Sequence, residues 1–327
     1  MKIRFFYYLD FFNIFMKKWL LLIFTISILS IPGIAVSESI PQWIKNLANW
    51  WSTDQITDQE YLDSINYLVE NKIINPNLDT NEKFVKIEGE LFDIFYERDS
   101  LKNPMGVTGY VRLNTILYFQ LNEEKSEIYD LIKSDGKTAV VVPMYTFSAY
   151  SQNGFYDYFT EKCDEVCLTV PYREDLVANY ESSLNGATIL KLLGYDLITD
   201  IEVDKNPNIL KKYEKIVLLH NEYVTKKMFD SILNHKKVVY LYPNALYAEV
   251  ESNHDKKTIS LIRGHGYPEK SIDNGFNWKY DNTRPDEFDI FCDDWKFKTI
   301  DNGIMLNCYP EHVIFKNLEI LKEIRNY

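Results

Sequence analysis

Glycine is scarce in this chain, 12 of 327 residues, which leaves little material for loops that cradle phosphates. No G-x-S-x-G nucleophile elbow occurs, and no Cys or Ser follows a strand where covalent acyl transfer would need it. Positive charge is in deficit: 36 Lys and Arg stand against 48 Asp and Glu, a formal net charge of −12. There is no basic stripe of the kind a generic nucleic-acid binder presents, so nucleic acid is excluded as a partner. Beyond residue 31 no apolar run reaches the length of a membrane span. What the chain has in quantity is aromatic side chains, with 24 Tyr, 19 Phe and 6 Trp. At 46% hydrophobic and 26% charged residues it reads as globular rather than disordered. Its length allows about two or three folded units.

Met16 opens a more conventional pattern than the aromatic residues before it and is a candidate true start. Lys17 and Lys18 form a positive region, residues 19–31 an apolar stretch, and Pro32-Gly33 a break. Ala35-Val36-Ser37 then place small residues where a signal peptidase reads. Residues 1–37 therefore read as a secretory signal peptide cleaved before Glu38. The alternative is an uncleaved anchor over residues 5–31, which Asp10, Lys17 and Lys18 oppose. Cys163, Cys167, Cys292 and Cys308 are even in number and fit an oxidising, extracytoplasmic compartment. Of the three connectivities we take the local one, Cys163–Cys167 and Cys292–Cys308. The second bridge would close a hairpin turning at Asp301-Asn302-Gly303. A four-Cys zinc site is the rival, but only half of its usual close pairs are present.

Residues 38–75 read as a Trp-rich helical module. Trp43, Leu47, Trp50 and Trp51 recur on one face of a first helix. Thr57 or Asp58 can cap a second, with Glu60 in its first turn. Residues 76–130 read as a linker and small β segment, with alternation around Phe84, Ile87, Leu91, Ile94 and Tyr96 and a turn over 102–106. The charge run over 123–127 reads as a solvated helix face. In residues 131–327, apolar strands over 138–142, 195–199, 213–219 and 237–242 alternate with helices over 180–194 and 225–234. That order implies βαβ units and a parallel sheet. Residues 248–263 and 289–308 read as β additions, and a helix over 311–325 closes the chain.

Ligands of open parallel sheets bind beyond the carboxyl ends of the strands. The first strand is followed by Pro143 to Tyr150, with Val170-Pro171-Tyr172-Arg173 further on. The third is followed by His220-Asn221-Glu222-Tyr223 and the fourth by Pro243-Asn244. One rim thus gathers tyrosines, a His, a Glu and an Asn. Glu222 could alternatively cap the helix beginning near Thr225. The segment Arg263-Gly264-His265-Gly266-Tyr267 reads as a structural turn.

T-F-S-A-Y ending at Tyr150, V-P-Y at Tyr172, G-A-T-I-L-K-L-L-G-Y-D-L, and Y-E-K-I-V-L-L-H-N-E-Y-V together resemble the N,N-dimethylformamidase large-subunit catalytic domain over residues 137–250. The resemblance implies a flavodoxin-like fold close to class I glutamine amidotransferase domains, without their catalytic cysteine. It also implies a mononuclear iron held by two tyrosines and a glutamate. Residue by residue, the glutamate is Glu222, the first tyrosine is Tyr150, and the second is Tyr172 with Tyr156 as rival. His220 becomes a proton-transfer or outer-sphere residue. Phe147, Ser151, Leu219 and Val224 depart from the family pattern, and its R-P pair is missing. Separately, I-P-Q-W-I-K-N-L-A-N-W-W with the segments after it resembles a module of exported archaeal proteins.

The sequence therefore implies an exported iron-dependent hydrolase of a C–N bond, with a small molecule or a surface protein as its partner. The alternative is a non-catalytic surface protein on the same flavodoxin-like α/β fold.

Overall fold

The computed structural model describes residues 84–97, 117–175, 179–280 and 286–327, with residues 50, 55–57, 60, 61 and 64. The chain divides into two units, Met1–Pro76 and Asn77–Tyr327. In the first unit, the expected signal segment and most of the Trp-rich module lie outside the described residues. What is described is a capping box. Thr57 N–H donates to Glu60 Oε2 at 3.0 Å, and Glu60 N–H to Thr57 Oγ1 at 3.2 Å. Of the two expected caps, Thr57 is the one used.

The second unit begins with an antiparallel meander of β1 (Phe84–Glu88), β2 (Phe92–Glu97) and β3 (Leu117–Leu121). The turn expected over 102–106 lies outside the described residues. Strands β4 (Thr138–Val142), β5 (Thr169–Pro171), β6 (Asp196–Thr199), β7 (Lys215–Leu218) and β8 (Tyr223–Val224) follow. Then come β9 (Val238–Tyr240), β10 (Ala248–Asn253), β11 (Thr258–Arg263), β12 (Phe297–Ile300) and β13 (Gly303–Leu306). The main sheet has the order β12-β13-β9-β7-β4-β6. All its pairings are parallel except the β12–β13 hairpin. In chain order the five parallel strands lie 2-1-3-4-5, so the winding reverses between β4 and β7. The fold is α/β with β additions.

Continuous apolar runs are what a sheet covered on both faces requires. Every residue of β4 and β7 is buried. The exception in chemistry is Lys215, whose ammonium donates to the Ile324 carbonyl at 2.6 Å and the Arg325 carbonyl at 3.1 Å. It thereby holds the last turn of the helix Leu318–Asn326. A second sheet, β5-β11-β10-β8, stands beside the first. Its β8 begins one residue after Glu222.

Several elements differ from the sequence expectation. The helix expected over 180–194 starts only at Leu184, because Ser183 sits in the left-handed region at φ 61° and breaks the helical run. A helix over Asp200–Lys205 was not foreseen, although Thr199 and Glu202 form its capping box. The helix expected over 311–325 starts at Leu318, capped by Asn317, after a 3-10 turn Pro310–His312. The hairpin expected over 289–308 is present, but its β13 is a full member of the central parallel sheet. Gly303 permits this, since a Cβ there would meet the Val238 carbonyl oxygen at 1.9 Å. Both disulfides have the expected pairing, Cys163–Cys167 and Cys292–Cys308. Among the described residues no helix is long and apolar enough to cross a membrane.

Candidate active site

The winding reversal places the exits of β4 and β7 side by side, the position where doubly wound sheets open a crevice. The β4 exit becomes the short helix Met144–Ala149, ending on Tyr150. The β7 exit runs through Leu219, His220 and Asn221 to Glu222. Thr146 joins the two, its Oγ1 accepting from Glu222 N–H at 3.1 Å.

Glu222 is fully buried. Its Oε1 receives Nε2 of His265 in a short contact, and its Oε2 lies 3.6 Å from Nε2 of His220. His220 is oriented by its other nitrogen. Nδ1 faces the Glu181 carbonyl, which can only accept, so Nδ1 carries a proton, and Nε2 is turned toward Glu222. Neither His220 Nε2 nor Glu222 Oε2 has a hydrogen-bond partner, and the hydroxyl of fully buried Tyr223 has none either. Burial alone would raise the Glu222 carboxyl, but the imidazoles of His265 and His220 and the Tyr150 hydroxyl outweigh it and hold it below its ordinary range. Glu222 does not cap the following helix. Thr225 does, accepting from Met228 N–H at 3.4 Å.

Tyr150 joins this group. Its ring is 6.0 Å from that of His220, 6.3 Å from Tyr223 and 4.4 Å from Tyr156. The hydroxyls of Tyr150 and Tyr156 are 3.5 Å apart. Burial, then the charge of Glu222, push the Tyr150 phenol well above its ordinary value, and the same two causes act on Tyr223. Without a cation nearby, both phenols keep their protons.

Tyr172 stands in another neighbourhood. Its hydroxyl is 2.8 Å from His254 Nδ1 and its ring is 5.4 Å from Tyr145. His254 Nε2 lies 2.9 Å from Asp204 Oδ2, and Asp204 also accepts from Tyr145 and Thr225. This is a satisfied polar hub tying helix ends to the second sheet. Tyr156, the rival for the second tyrosine, is the one brought to Tyr150.

His265 is the residue that sequence reading underrated. The segment is indeed a turn, bridged between Gly264 and Tyr267. Gly264 at φ 124° and Gly266 at φ 76° adopt backbone that only glycine takes easily, and they turn His265 inward. The imidazole stacks on Tyr223 at 5.8 Å and Phe159 at 4.7 Å, with Tyr247 edge-on at 4.7 Å. The two flanking glycines in an otherwise glycine-poor chain were the available signal.

Among the described residues no group of three His, Cys, Asp or Glu side chains is arranged to hold a metal ion. Phenols lie outside that set. Around Glu222 the convergent donors are a carboxylate oxygen without a partner, the adjacent Tyr150 phenol and an imidazole nitrogen. Such a set of oxygen and nitrogen donors fits a cation.

Comparison with curated proteins finds none that matches this chain. Residues 113–323, well over half of the chain and the whole of the main sheet and its crevice, match the family described as N,N-dimethylformamidase beta subunit-like, C-terminal. The chain belongs to that family.

Proposed function

We propose that the protein is a metal-dependent hydrolase of a C–N bond in a small, non-peptide amide. Iron would be held by Glu222, Tyr150 and a second phenol, for which Tyr156 is better placed than Tyr172. The observation that carries the reading is the buried His220 Nε2 and Glu222 Oε2, facing each other at 3.6 Å with no hydrogen-bond partner. Family membership supports an amidohydrolase.

Iron, when bound, would supply Lewis acidity toward an amide carbonyl and toward water. The protein's part is orientation and proton handling. His265, clamped between Tyr223 and Phe159, fixes the Glu222 carboxylate through Oε1 and leaves Oε2 for the crevice. His220 Nε2, oriented by the bond at Nδ1, takes a proton from an attacking water and returns it to the leaving amine. The aromatic side chains of Tyr150, Tyr156, Phe159 and Tyr223 around His220 and His265 would favour a compact, uncharged substrate. We further propose export: the segment 1–37 supports it, and the two disulfides fit an oxidising compartment.

The departures at Phe147, Ser151, Leu219 and Val224 favour a second reading, a binding protein on the same fold. One experiment separates them. The chain from Glu38 is produced with its disulfides formed and reconstituted with iron. Bound metal, a tyrosinate-to-iron absorption band and release of amine from N,N-dimethylformamide are then measured. The hydrolase reading expects one iron, the band and turnover, all lost in Glu222→Gln. Absence of stoichiometric iron, with Glu222→Gln indistinguishable from the parent, rejects it.

A further inference from the structure

A buried carboxyl on the far side of His220 has no part in the scheme above. Glu311 is fully buried. Its Oε1 accepts from Asn185 N–H at 2.5 Å, and its Oε2 from the Tyr242 hydroxyl at 2.5 Å and Gly186 N–H at 3.3 Å. Its own carbonyl accepts from Asn185 Nδ2 at 3.0 Å. Glu311 thus grips the segment 185–186 at three points.

The residues just before that segment grip His220 in turn. The Glu181 carbonyl accepts from its Nδ1–H, and Ser183 Oγ accepts from its backbone N–H at 3.0 Å. Ser183 holds φ 61°, a backbone state that is strained for a non-glycine residue and needs support from its surroundings. Two rings complete the clamp. Tyr242 lies 6.4 Å from the imidazole at 23°, and Tyr309 is edge-on at 5.3 Å with its hydroxyl 3.4 Å from Nδ1. Tyr242 also interacts with Ser183 through its hydroxyl. Gly186 makes the approach possible, because a Cβ there would meet the Tyr242 hydroxyl oxygen at 2.4 Å.

We propose that Glu311 is a positioning residue. By locking the segment 181–186 and Tyr242, it keeps Nδ1 of His220 bonded to the Glu181 carbonyl, with Nε2 aimed at Glu222. This rests on the reading of His220 as the proton-handling group, but its test needs neither metal nor turnover. A residue that merely caps the helix Leu184–Leu192 would alter stability and leave the tautomer alone.

The test is long-range proton–nitrogen spectroscopy of the exported chain with labelled histidine. The protein has five histidines, and His220→Gln identifies the relevant signal. The parent is expected in the Nδ1–H form. Glu311→Ala should shift the ratio toward Nε2–H by about fivefold, the effect of one ordinary hydrogen bond. Glu311→Gln keeps an acceptor for Asn185 and an amide that the Tyr242 hydroxyl can meet by turning to accept, and should retain the parental tautomer. Should Glu311→Ala not fold, Tyr242→Phe cuts the same link with little change in volume. An unchanged tautomer in a folded Glu311→Ala or Tyr242→Phe protein overturns the proposal. A shifted tautomer in a protein that binds no iron would leave Glu311 in its role and remove the hydrolase instead.

Discussion

Nε2 of His220 and Oε2 of Glu222 lie 3.6 Å apart in the protein interior, and neither has a hydrogen-bond partner. Buried polar atoms left without partners are costly, and a cation between or beside them removes the cost. Iron should therefore stabilise the folded protein by mass action. At free metal about 100 times the dissociation constant, the gain is about 2.7 kcal/mol. Glu222→Gln should abolish that gain. Thermal or denaturant melts with and without iron measure it, and equal gains in parent and variant would contradict the assignment.

The second phenol is decided by three substitutions. Tyr150→Phe and Tyr156→Phe should each weaken or shift the tyrosinate-to-iron band, since their hydroxyls are 3.5 Å apart beside Glu222. Tyr172→Phe should leave the band unchanged, because its hydroxyl is committed to His254 at 2.8 Å. It should instead loosen the Asp204 hub and cost about 1 kcal/mol of stability. A band that depends on Tyr172 and ignores Tyr156 would reverse the choice.

Much of this was legible before any coordinates, and the limits have physical causes. The buried runs at Thr138–Val142 and Lys215–Leu218 declare themselves by continuous apolar composition, so the sheet and the rim carrying Tyr150, His220 and Glu222 could be placed. Cys292 and Cys308 flank a two-residue turn, so their pairing was local. Tyr172 lies among His254 and Tyr145 rather than beside Tyr150, a placement that motif order along the chain does not reveal, since it says nothing about which way a loop after β5 turns. His265 was passed over because its partner, Glu222, is 43 residues away and the contact depends on a turn set by Gly264 and Gly266. Glu311 carries no local signal, since its role arises from contacts 126 residues distant.

His265→Leu tests the ion pair inside the site. Removing the imidazole leaves Glu222 buried beside His220 alone, and losing one partner of a buried pair costs about 3 kcal/mol. The effect should depend on pH. The His265 imidazole, against the opposing pull of burial, helps hold the Glu222 carboxyl below the 4.5 of a free glutamate. The stability this confers is present above that pH and is lost as pH falls through the folded value. Parent and His265→Leu melts should therefore converge in acid and separate above it. A constant gap from acid to neutral pH would show that the imidazole acts by packing on Phe159 and Tyr223 alone.

Glu311 has the opposite sign. Burial, partly offset by its bonds to Tyr242, Asn185 and Gly186, pushes its carboxyl up to about 8 from 4.5. Below 4.5 the acid is protonated whether the chain is folded or not. Between 4.5 and about 8 the unfolded chain ionises while the folded one resists, so stability drains away as pH rises across that window. Glu311→Gln cannot ionise and mimics the protonated acid. It should flatten this part of the pH profile and exceed the parent at pH 8 by on the order of 2 kcal/mol, a discounted share of the full shift. Denaturant melts across the window measure the slope. A parent profile that is flat there, or a Gln variant less stable than the parent at pH 8, would mean that Glu311 is charged in the fold and serves as an anionic cap to the helix Leu184–Leu192.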